Sequence, residues 1–166
     1  MSGLPALAGR PVGQVGIVVR DLDRALKRYA RDWGLGPWRC WTYGPATVPH
    51  LGFRGGPGEF EMRIALCGKD PQLELLEPIR GPSIYHEWLK ENGEGMHHLG
   101  VYVPSMDEAL AAMAAAGHEP VQWGSGYGAE GDGAFAYFDT RPLLAVYLEL
   151  LEVPRVRVEP ERVYPA

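Results

Sequence analysis

Four side chains that could together bind a metal ion occur at matching places in the two halves of this sequence. Gln14 and His98 begin two similar segments, QVGIVVRDLDRAL and HLGVYVPSMDEAL. Glu74 and Glu149 each stand between two leucines in a second repeated segment, LELLE. Two carboxylates, one imidazole and one amide oxygen form a donor set that suits borderline or hard divalent ions such as Zn, Mn, Co, Ni or Mg.

An internal repeat relates the two halves. The longer segments lie 84 residues apart and are identical at five of thirteen positions, among them Gly16 and Gly100. The LELLE segments lie 75 residues apart, so the second half is shorter and the missing residues fall in its connections. Two matched segments in the same order within each half indicate a duplicated module.

Each half has the pattern of a strand, a helix and three further strands. Short polar residues that favour helix starts follow the first strand, at Asp21 or Asp23 in one half and at Ser105 or Asp107 in the other. The predicted strands are 13–19, 38–43, 59–66 and 72–76 in the first half and 97–103, 119–123, 134–139 and 145–151 in the second.

Alternation along the strands places the candidate ligands on shared faces. Gln14 and Gly16 share one face of the first strand, and His98 and Gly100 share the corresponding face of its counterpart. A carboxylate between leucines points either outward to water or inward to a group that compensates its charge. Two modules facing one another would bring both symmetric pairs of side chains to a common centre.

The predicted organisation is a single domain over residues 1–166. Two stretches rich in Gly and Pro, 44–58 and 124–133, are expected to be irregular, either as plain surface loops or as loops that shape the mouth of a pocket. The C-terminal tail could form either an extra strand or a dimer contact. The parts are module one at about 12–78, a linker at about 79–95 with a short helix at 83–89, module two at about 96–153, and a C-terminal tail at 154–166.

Composition narrows the class of protein. The chain is 46% hydrophobic and has a formal net charge of -5 without a run of Lys or Arg, which argues against nucleic acid as a partner. No apolar run reaches the roughly 18 residues that a membrane span needs. Cys40 and Cys67 form no Cys-x-x-Cys pair, and no signal peptide is recognisable, so a cytoplasmic protein with free thiols is expected.

The segments GQVGIVVRDLDRAL, QLELLEP, GEGMHHLGVYV and LEL resemble the vicinal-oxygen-chelate superfamily, which includes glyoxalase I, methylmalonyl-CoA epimerase, extradiol dioxygenases and bleomycin-resistance proteins. The resemblance covers nearly the whole chain and implies an α+β fold, with two tandem βαβββ modules forming a cup-shaped mixed sheet. In that family the first and last strands of each module supply one metal ligand each. The resemblance therefore assigns the ligands to Gln14, Glu74, His98 and Glu149, and selects His98 over His97, which would face the other way.

Within the superfamily, ELLEP, SIYHEWL and GEGMHHLGVYV resemble the methylmalonyl-CoA epimerases most. Those enzymes usually carry His where this chain has Gln14 and Gln where it has Glu74. The set Gln, Glu, His, Glu is instead similar to that of zinc-type glyoxalase I, although Val18 stands where the glutathione-binding Arg of glyoxalase I is expected. Extradiol dioxygenases use two His and one carboxylate, a set that Gln14 does not match.

The resemblance implies a metal-dependent isomerase or epimerase that abstracts a proton next to a carbonyl, on an acyl-CoA such as methylmalonyl-CoA. The expected cofactor is one divalent ion, Zn, Co, Mn or Ni. Glu149 and Glu61 are the two candidates for the catalytic base. Arg63, which shares the face of Glu61, could bind an anionic substrate group, and Tyr102 and Tyr147 fall on the face of the ligands.

Two alternatives remain open at this point. One is a glyoxalase I-like lyase that acts on a hemithioacetal, and the other is a metal-free small-molecule or drug-binding protein of the same fold. The expected partner is a small-molecule substrate. The modules could pair within one chain or with those of a second chain, and a homodimer is favoured by comparison with family members.

Overall fold

One mixed β-sheet dominates the computed structural model, which describes residues 4–165. The strands run in the order β11-β2-β5-β6-β1-β7-β10-β9-β8-β3-β4 across this part of the chain. Their bounds are β1 Gln14–Val18, β2 Trp38–Tyr43, β3 His50–Phe53, β4 Gly56–Pro57, β5 Glu61–Cys67, β6 Gln72–Arg80, β7 Gly95–Tyr102, β8 Gln122–Tyr127, β9 Gly133–Phe138, β10 Tyr147–Glu152 and β11 Arg162–Tyr164.

The two modules meet at the centre of the sheet. There β1 pairs antiparallel with β7, while β1 pairs parallel with β6 and β7 pairs parallel with β10. Each module therefore places its first and last strands side by side, next to the same strands of the other module. The prediction of an α+β fold with two βαβββ modules is confirmed, and the modules pair within one chain. A homodimer stays a prediction.

The helices begin at the predicted polar caps. Asp21 and Ser105 accept hydrogen bonds from the backbone N–H groups of Arg24 and Glu108, which satisfies donors that the first helical turn leaves free. Ser83 caps the linker helix in the same way. The helices are α1 Leu22–Trp33, α2 Ile84–Asn92, α3 Met106–Ala115 and α4 Arg141–Leu144, preceded by a short 3-10 helix at Pro5–Leu7.

Helices α1 and α3 cover the convex face of the sheet, one over each module. Leu22 and Leu26 of α1 are fully buried against Trp38 and Leu75, and Met113 of α3 lies in the equivalent core of module two. Burial of this apolar surface is the main stabilising contribution on that side. The concave face stays available for other contacts.

Helix α2 fills one end of the concave face. Ile84, Tyr85, Trp88 and Leu89 belong to the same buried cluster as inward-facing strand residues such as Tyr137. The backbone N–H of the first helical residue donates to the buried Gln122 side chain at 3.0 Å, which fixes the helix to β8. The linker thus closes one end of the cup.

One expectation about the loops was wrong. Segment 44–58 is not irregular throughout, because it contains the β3–β4 hairpin, which pairs with β8 of module two. Arg54 and Gly55 have φ values of 47° and 79°, and positive φ at both central residues is the requirement of a tight two-residue hairpin turn. Strand β8 likewise continues to Tyr127, into the second stretch expected to be irregular.

The C-terminal segment forms a strap across the open side of the cup, which we define as residues 153–161 together with β11. Strand β11 pairs antiparallel with β2, so the alternative of an extra strand is the one observed. On the way, the backbone N–H of Ala129 donates to the Val156 carbonyl, and the Trp41 indole N–H donates to the Val158 carbonyl at 3.0 Å. The strap therefore touches both modules. Within residues 4–165, no helix combines the length and the apolar character needed to cross a membrane.

Candidate metal centre

The four residues predicted as ligands lie on the four central strands of the sheet. Strand register places Glu74 and His98 on either side of Gly16, and Gln14 and Glu149 on either side of Gly100. All four ligand side chains are buried, with relative exposures between 0% and 6%. The duplicated glycine thus marks the middle of each half of the site. We call Gln14, Glu74, His98 and Glu149 the ligand cluster.

Three members of the ligand cluster converge on one point. His98 Nε2 lies 2.9 Å from Glu74 Oε2 and 3.1 Å from Glu149 Oε2. One ligand atom from each of these three residues lies within 4.8 Å of the others, close enough for all three to bind a single ion. Gln14 lines the same chamber as both carboxylates, and its Nε2 donates to Gln72 Oε1 at 3.3 Å.

The electrostatics of the cluster favour positive charge at its centre. Burial alone lowers the pKa of His98, but the charges of Glu149 and Glu74 and their hydrogen bonds to the imidazole raise it to about 10. Burial raises the pKa of Glu74, and the interaction with His98 opposes that rise. Two buried carboxylates require positive charge nearby, and either a proton on His98 or a divalent ion would supply it.

The donor atoms of the cluster fit a metal ion. Gln14 Oε1 is buried and has no hydrogen-bond partner within the described chain. Glu74 Oε2 and Glu149 Oε2 are buried too and both face the single nitrogen His98 Nε2, which has at most one hydrogen to share between them. Buried polar atoms are normally satisfied, so three acceptor oxygens that share at most one donor hydrogen are unusual in a protein core. Their chemistry, three oxygens and one imidazole nitrogen, matches the requirements of a borderline divalent ion.

The expectation that His97 faces the other way from His98 is wrong. The register between β7 and β1 shifts from His98 opposite Gly16 to Met96 opposite Ile17, so His97 is the extra residue of a β-bulge. Both imidazoles consequently lie on the concave side, with their Nδ1 atoms 3.0 Å apart. This contact turns His98 Nε2 toward the carboxylates and fixes the ring, as outer-shell partners of metal ligands do.

A small chamber lies against the cluster. It has a volume of about 30 Å³, room for roughly two water molecules. Its lining is mainly aromatic and aliphatic, and within residues 4–165 Arg157 of the strap is its one basic residue. A larger cavity of about 480 Å³ lies between α3 and strands β8 and β9, on the other face of the sheet, and no member of the cluster lines it. The chamber residues are Gln14, Tyr43, Met62, Ile64, Leu66, Glu74, Leu76, Tyr127, Phe135, Tyr137, Glu149, Leu151 and Arg157.

The structure does not bring Glu61 and Arg63 to the cluster. Glu61 lies at a register shift in β5, and its side chain is beside Gly44 and does not line the chamber. The chamber is lined by Met62 and Ile64, and Arg63, which stands between them in β5, points to the other face. Arg63 is ion-paired there with Asp23 of α1 and with Glu77, each at 3.2 Å, so its charge is already used. The expectation that these two residues act on substrate has no support in this geometry.

Tyr102 and Tyr147 lie near the cluster but do not line the chamber. The Tyr147 ring is buried and stacks on His97, with centroids 4.8 Å apart, so it supports the imidazole pair. Burial raises the pKa of Tyr147 to about 12. The Tyr102 ring packs over Gly13 at the rim of the sheet and is 37% exposed.

Sequence reasoning missed Arg157 and underestimated His97. Arg157 lies in the C-terminal tail, for which the sequence allows both an extra strand and a dimer contact. No periodic pattern links Arg157 to the repeat. Burial raises the pKa of Tyr43, and the positive charge of Arg157 opposes that rise. The same charge acts to lower the pKa of Glu74. The adjacent histidines at 97 and 98 were a visible signal, but the bulge that brings both inward leaves no mark in the alternation of apolar residues.

With this geometry in place, comparisons with known proteins identify the family. The profile of the Glyoxalase/Bleomycin resistance protein/Dioxygenase superfamily matches residues 13–138. The chain belongs to this superfamily. The match includes β1, β6 and β7, which carry three of the four ligands, and confirms the resemblance inferred from the repeated segments. No curated protein sequence matches the chain.

Solved structures of methylmalonyl-CoA epimerases share the fold. An epimerase in complex with methylmalonyl-CoA and NH4+ is 22% identical, with a TM-score of 0.61, and the alignment covers 89% of this chain and 97% of that chain. A Streptomyces coelicolor epimerase variant in complex with 2-nitronate-propionyl-CoA is also 22% identical, with a TM-score of 0.61, over 90% and 98% of the chains. The epimerase from Mycobacterium tuberculosis is 21% identical, with a TM-score of 0.57, over 86% and 87%. These likenesses establish the cup-shaped architecture.

Proposed function

We propose that this protein is a metal-dependent isomerase or epimerase that moves a proton on the carbon next to a carbonyl. One observation carries the proposal: two buried carboxylates and one buried imidazole converge on a common point, with a buried amide oxygen beside them that has no partner within the described chain. A proton on His98 would balance only one of the two buried carboxylate charges, whereas a divalent ion would balance both.

Gln14, Glu74, His98 and Glu149 would hold the ion. A bound Zn, Co, Mn or Ni ion supplies Lewis acidity to a carbonyl oxygen, which makes the neighbouring C–H bond more acidic. The remaining requirement is a base that can hold the proton at this carbon. Among the residues that the structure describes, the carboxylates that line the chamber are those of Glu74 and Glu149.

We assign the proton transfer to Glu149. Its carboxylate is 3% exposed and lies on β10 opposite Tyr137 of β9, so the proton that it accepts is shielded from bulk water. Phe135 and Leu151 line the same wall of the chamber and exclude water from the reacting carbon. Glu74 holds the symmetric position in the other module and is assigned to ion binding.

The substrate class follows from the relatives and from the ligand set. The structural neighbours include an epimerase bound to methylmalonyl-CoA, which supports an acyl-CoA as the substrate. The ligand set Gln, Glu, His, Glu supports a second candidate, a lyase acting on a hemithioacetal. Both reactions remove a proton next to a carbonyl, so one site can be tested with both substrates.

Metal content of the purified protein tests the centre. We expect about one divalent ion per chain in the wild type, and its loss in His98→Ala and in Glu149→Ala. His50→Ala is the matched control, because it removes an exposed imidazole from β3 and leaves the ligand cluster intact. If the wild type holds no ion after incubation with Zn, Co, Mn or Ni, the metal-dependent function is wrong and the cup is a metal-free binding pocket.

Proton exchange tests the reaction. We expect the ion-loaded protein in D₂O to introduce deuterium at C2 of methylmalonyl-CoA. At equal metal content, we expect Glu149→Gln to lose at least about a hundredfold in rate, as removal of a general base does. Conversion of the glutathione hemithioacetal of methylglyoxal, without exchange on the acyl-CoA, would favour the lyase instead. Retained exchange in Glu149→Gln would contradict the assignment of the base.

A further inference from the structure

A groove with three cationic side chains opens beside the chamber. It has a volume of about 320 Å³ and includes Arg39 of β2, Lys69 of the β5–β6 turn and Arg157 of the strap. Its other lining residues are neutral, and no Asp or Glu lines it in the described part of the chain. In a protein with a net charge of -5, such a local excess of positive charge needs an explanation. We call these three residues and their surroundings the cationic groove.

The cationic groove is continuous with the chamber. Leu66 and Arg157 line both spaces. Gln72 lines the groove and accepts a hydrogen bond from Gln14, which lines the chamber and belongs to the ligand cluster. A molecule lying in the groove would therefore reach the chamber past Arg157. The chamber alone is too small for more than a few atoms of a substrate.

Arg157 differs from its neighbours on the strap. Arg155 is ion-paired with Glu130 and Asp132, and Arg162 is ion-paired with Asp23. Among the residues that the structure describes, no carboxylate lies within ion-pair distance of Arg157. Its guanidinium instead lies over the Trp41 ring, 5.8 Å from the centroid, and at the junction of the two spaces. A half-buried guanidinium without an anion is suited to binding one.

We propose that the cationic groove binds the anionic part of the substrate, with Arg157 holding an anionic group next to the chamber in which the reacting carbon lies. The ligand class is a carboxylate or phosphate ester that also carries a carbonyl. The proposal deepens the proposed function and rests on it only in assigning the reacting carbon to the chamber. Arg157 would then select substrates by charge, a task that neither duplicated module performs alone.

Calorimetric titration with two probes, inorganic pyrophosphate and malonate, tests this site. We expect wild type to bind at least one of them, and expect Arg157→Gln and the double variant Arg39→Gln/Lys69→Gln to bind it about tenfold or more weakly. Arg157→Lys should retain most of the binding, since it keeps the charge. Arg28→Gln is the matched control, because it removes one exposed cation from α1. Preference for pyrophosphate indicates a phosphorylated carrier, and preference for malonate indicates a carboxylate group.

Three results would overturn the groove as an anion site. They are no binding of either probe to wild type, equal binding to Arg157→Gln, and loss of binding in His98→Ala, which would show that the probe binds the metal ion. The metal content of the wild type is measured separately, before the probes are added, and does not depend on these three results. A failure here is therefore distinguishable from a failure of the metal-dependent function.

Discussion

The imidazole of His98 occupies the space that a side chain on Gly16 would need. A Cβ added to Gly16 would lie 1.9 Å from His98 Cε1 and 2.0 Å from His98 Nε2. The duplicated position behaves similarly, since a Cβ on Gly100 would lie 2.9 Å from Gln14 Cβ and 3.2 Å from Gln14 Oε1. Each module therefore supplies a glycine that makes room for a ligand from the other module.

We expect Gly16→Ala to abolish metal binding although every ligand remains. The added methyl group must displace the His98 ring, since distances near 2 Å are far below van der Waals contact. Overpacking of this kind should also lower the free energy of unfolding by about 1–3 kcal/mol. Metal content and denaturant unfolding measure the two effects. The control is Gly95→Ala in the same strand as His98, where an added Cβ meets nothing within 4 Å. Full metal content in Gly16→Ala would contradict the geometry.

Removal of the ion should destabilise the protein. An ion that binds the folded chain alone adds about 2.7 kcal/mol at a free concentration a hundred times its Kd. We expect the thermal midpoint of the wild type to rise with added Zn and to fall again with a chelator. His98→Ala should show no such response. An equal response in both proteins would mean that the ion binds elsewhere.

Trp41 should hold the strap in place. Trp41→Phe keeps an aromatic ring but loses the N–H that donates to the Val158 carbonyl at 3.0 Å. We expect a fall of about 1 kcal/mol in the free energy of unfolding, and faster amide hydrogen exchange in residues 153–161. The comparison is Trp33→Phe, which removes the same N–H from a side chain that is 74% exposed. Unchanged exchange in Trp41→Phe would show that β11 alone fixes the strap.

Asp23 should make the attachment of β11 sensitive to acid. Its hydrogen bond to Arg162, together with Arg63 at 3.2 Å, holds its pKa below the usual value of 3.8. A carboxyl group whose pKa is lowered in the folded state stabilises the fold above its ordinary pKa, and this contribution is lost as the pH falls through the folded-state value. We therefore expect Asp23→Asn to be less stable than wild type at pH 6, with the difference shrinking at pH 3. The urea midpoint measures both values. Asp107→Asn, at an exposed position of α3, should show the same small difference at both pH values.

Much of the fold and the grouping of the candidate ligands could be predicted because both depend on the repeat. The repeat indicated the βαβββ pattern of each module, and the alternation around Gly16 and Gly100 placed the candidate ligands of each first strand on a shared face. Asp21 and Ser105 could be recognised as caps because a helix start needs a side-chain acceptor there.

The parts that could not be predicted depend on contacts between distant segments. The bulge at His97 arises from pairing with β1, and the position of Arg157 arises from the strap's contacts with Trp41 and with β2. Glu61 was one of two candidates for the catalytic base, and the register shift beside it in β5, where it pairs with β6, leaves it outside the lining of the chamber. Local patterns carry no information about such long-range contacts.

The β3–β4 hairpin has a consequence for how the two halves could be exchanged between relatives. It is encoded in the first half, yet β3 completes the edge of the second half by pairing with β8, opposite residues such as Trp123. A hybrid protein joined within the linker at 79–95 would combine the hairpin of one parent with the β8 of the other. Recombination at that point would succeed only where the two edges still match, so the halves must change together although they began as copies.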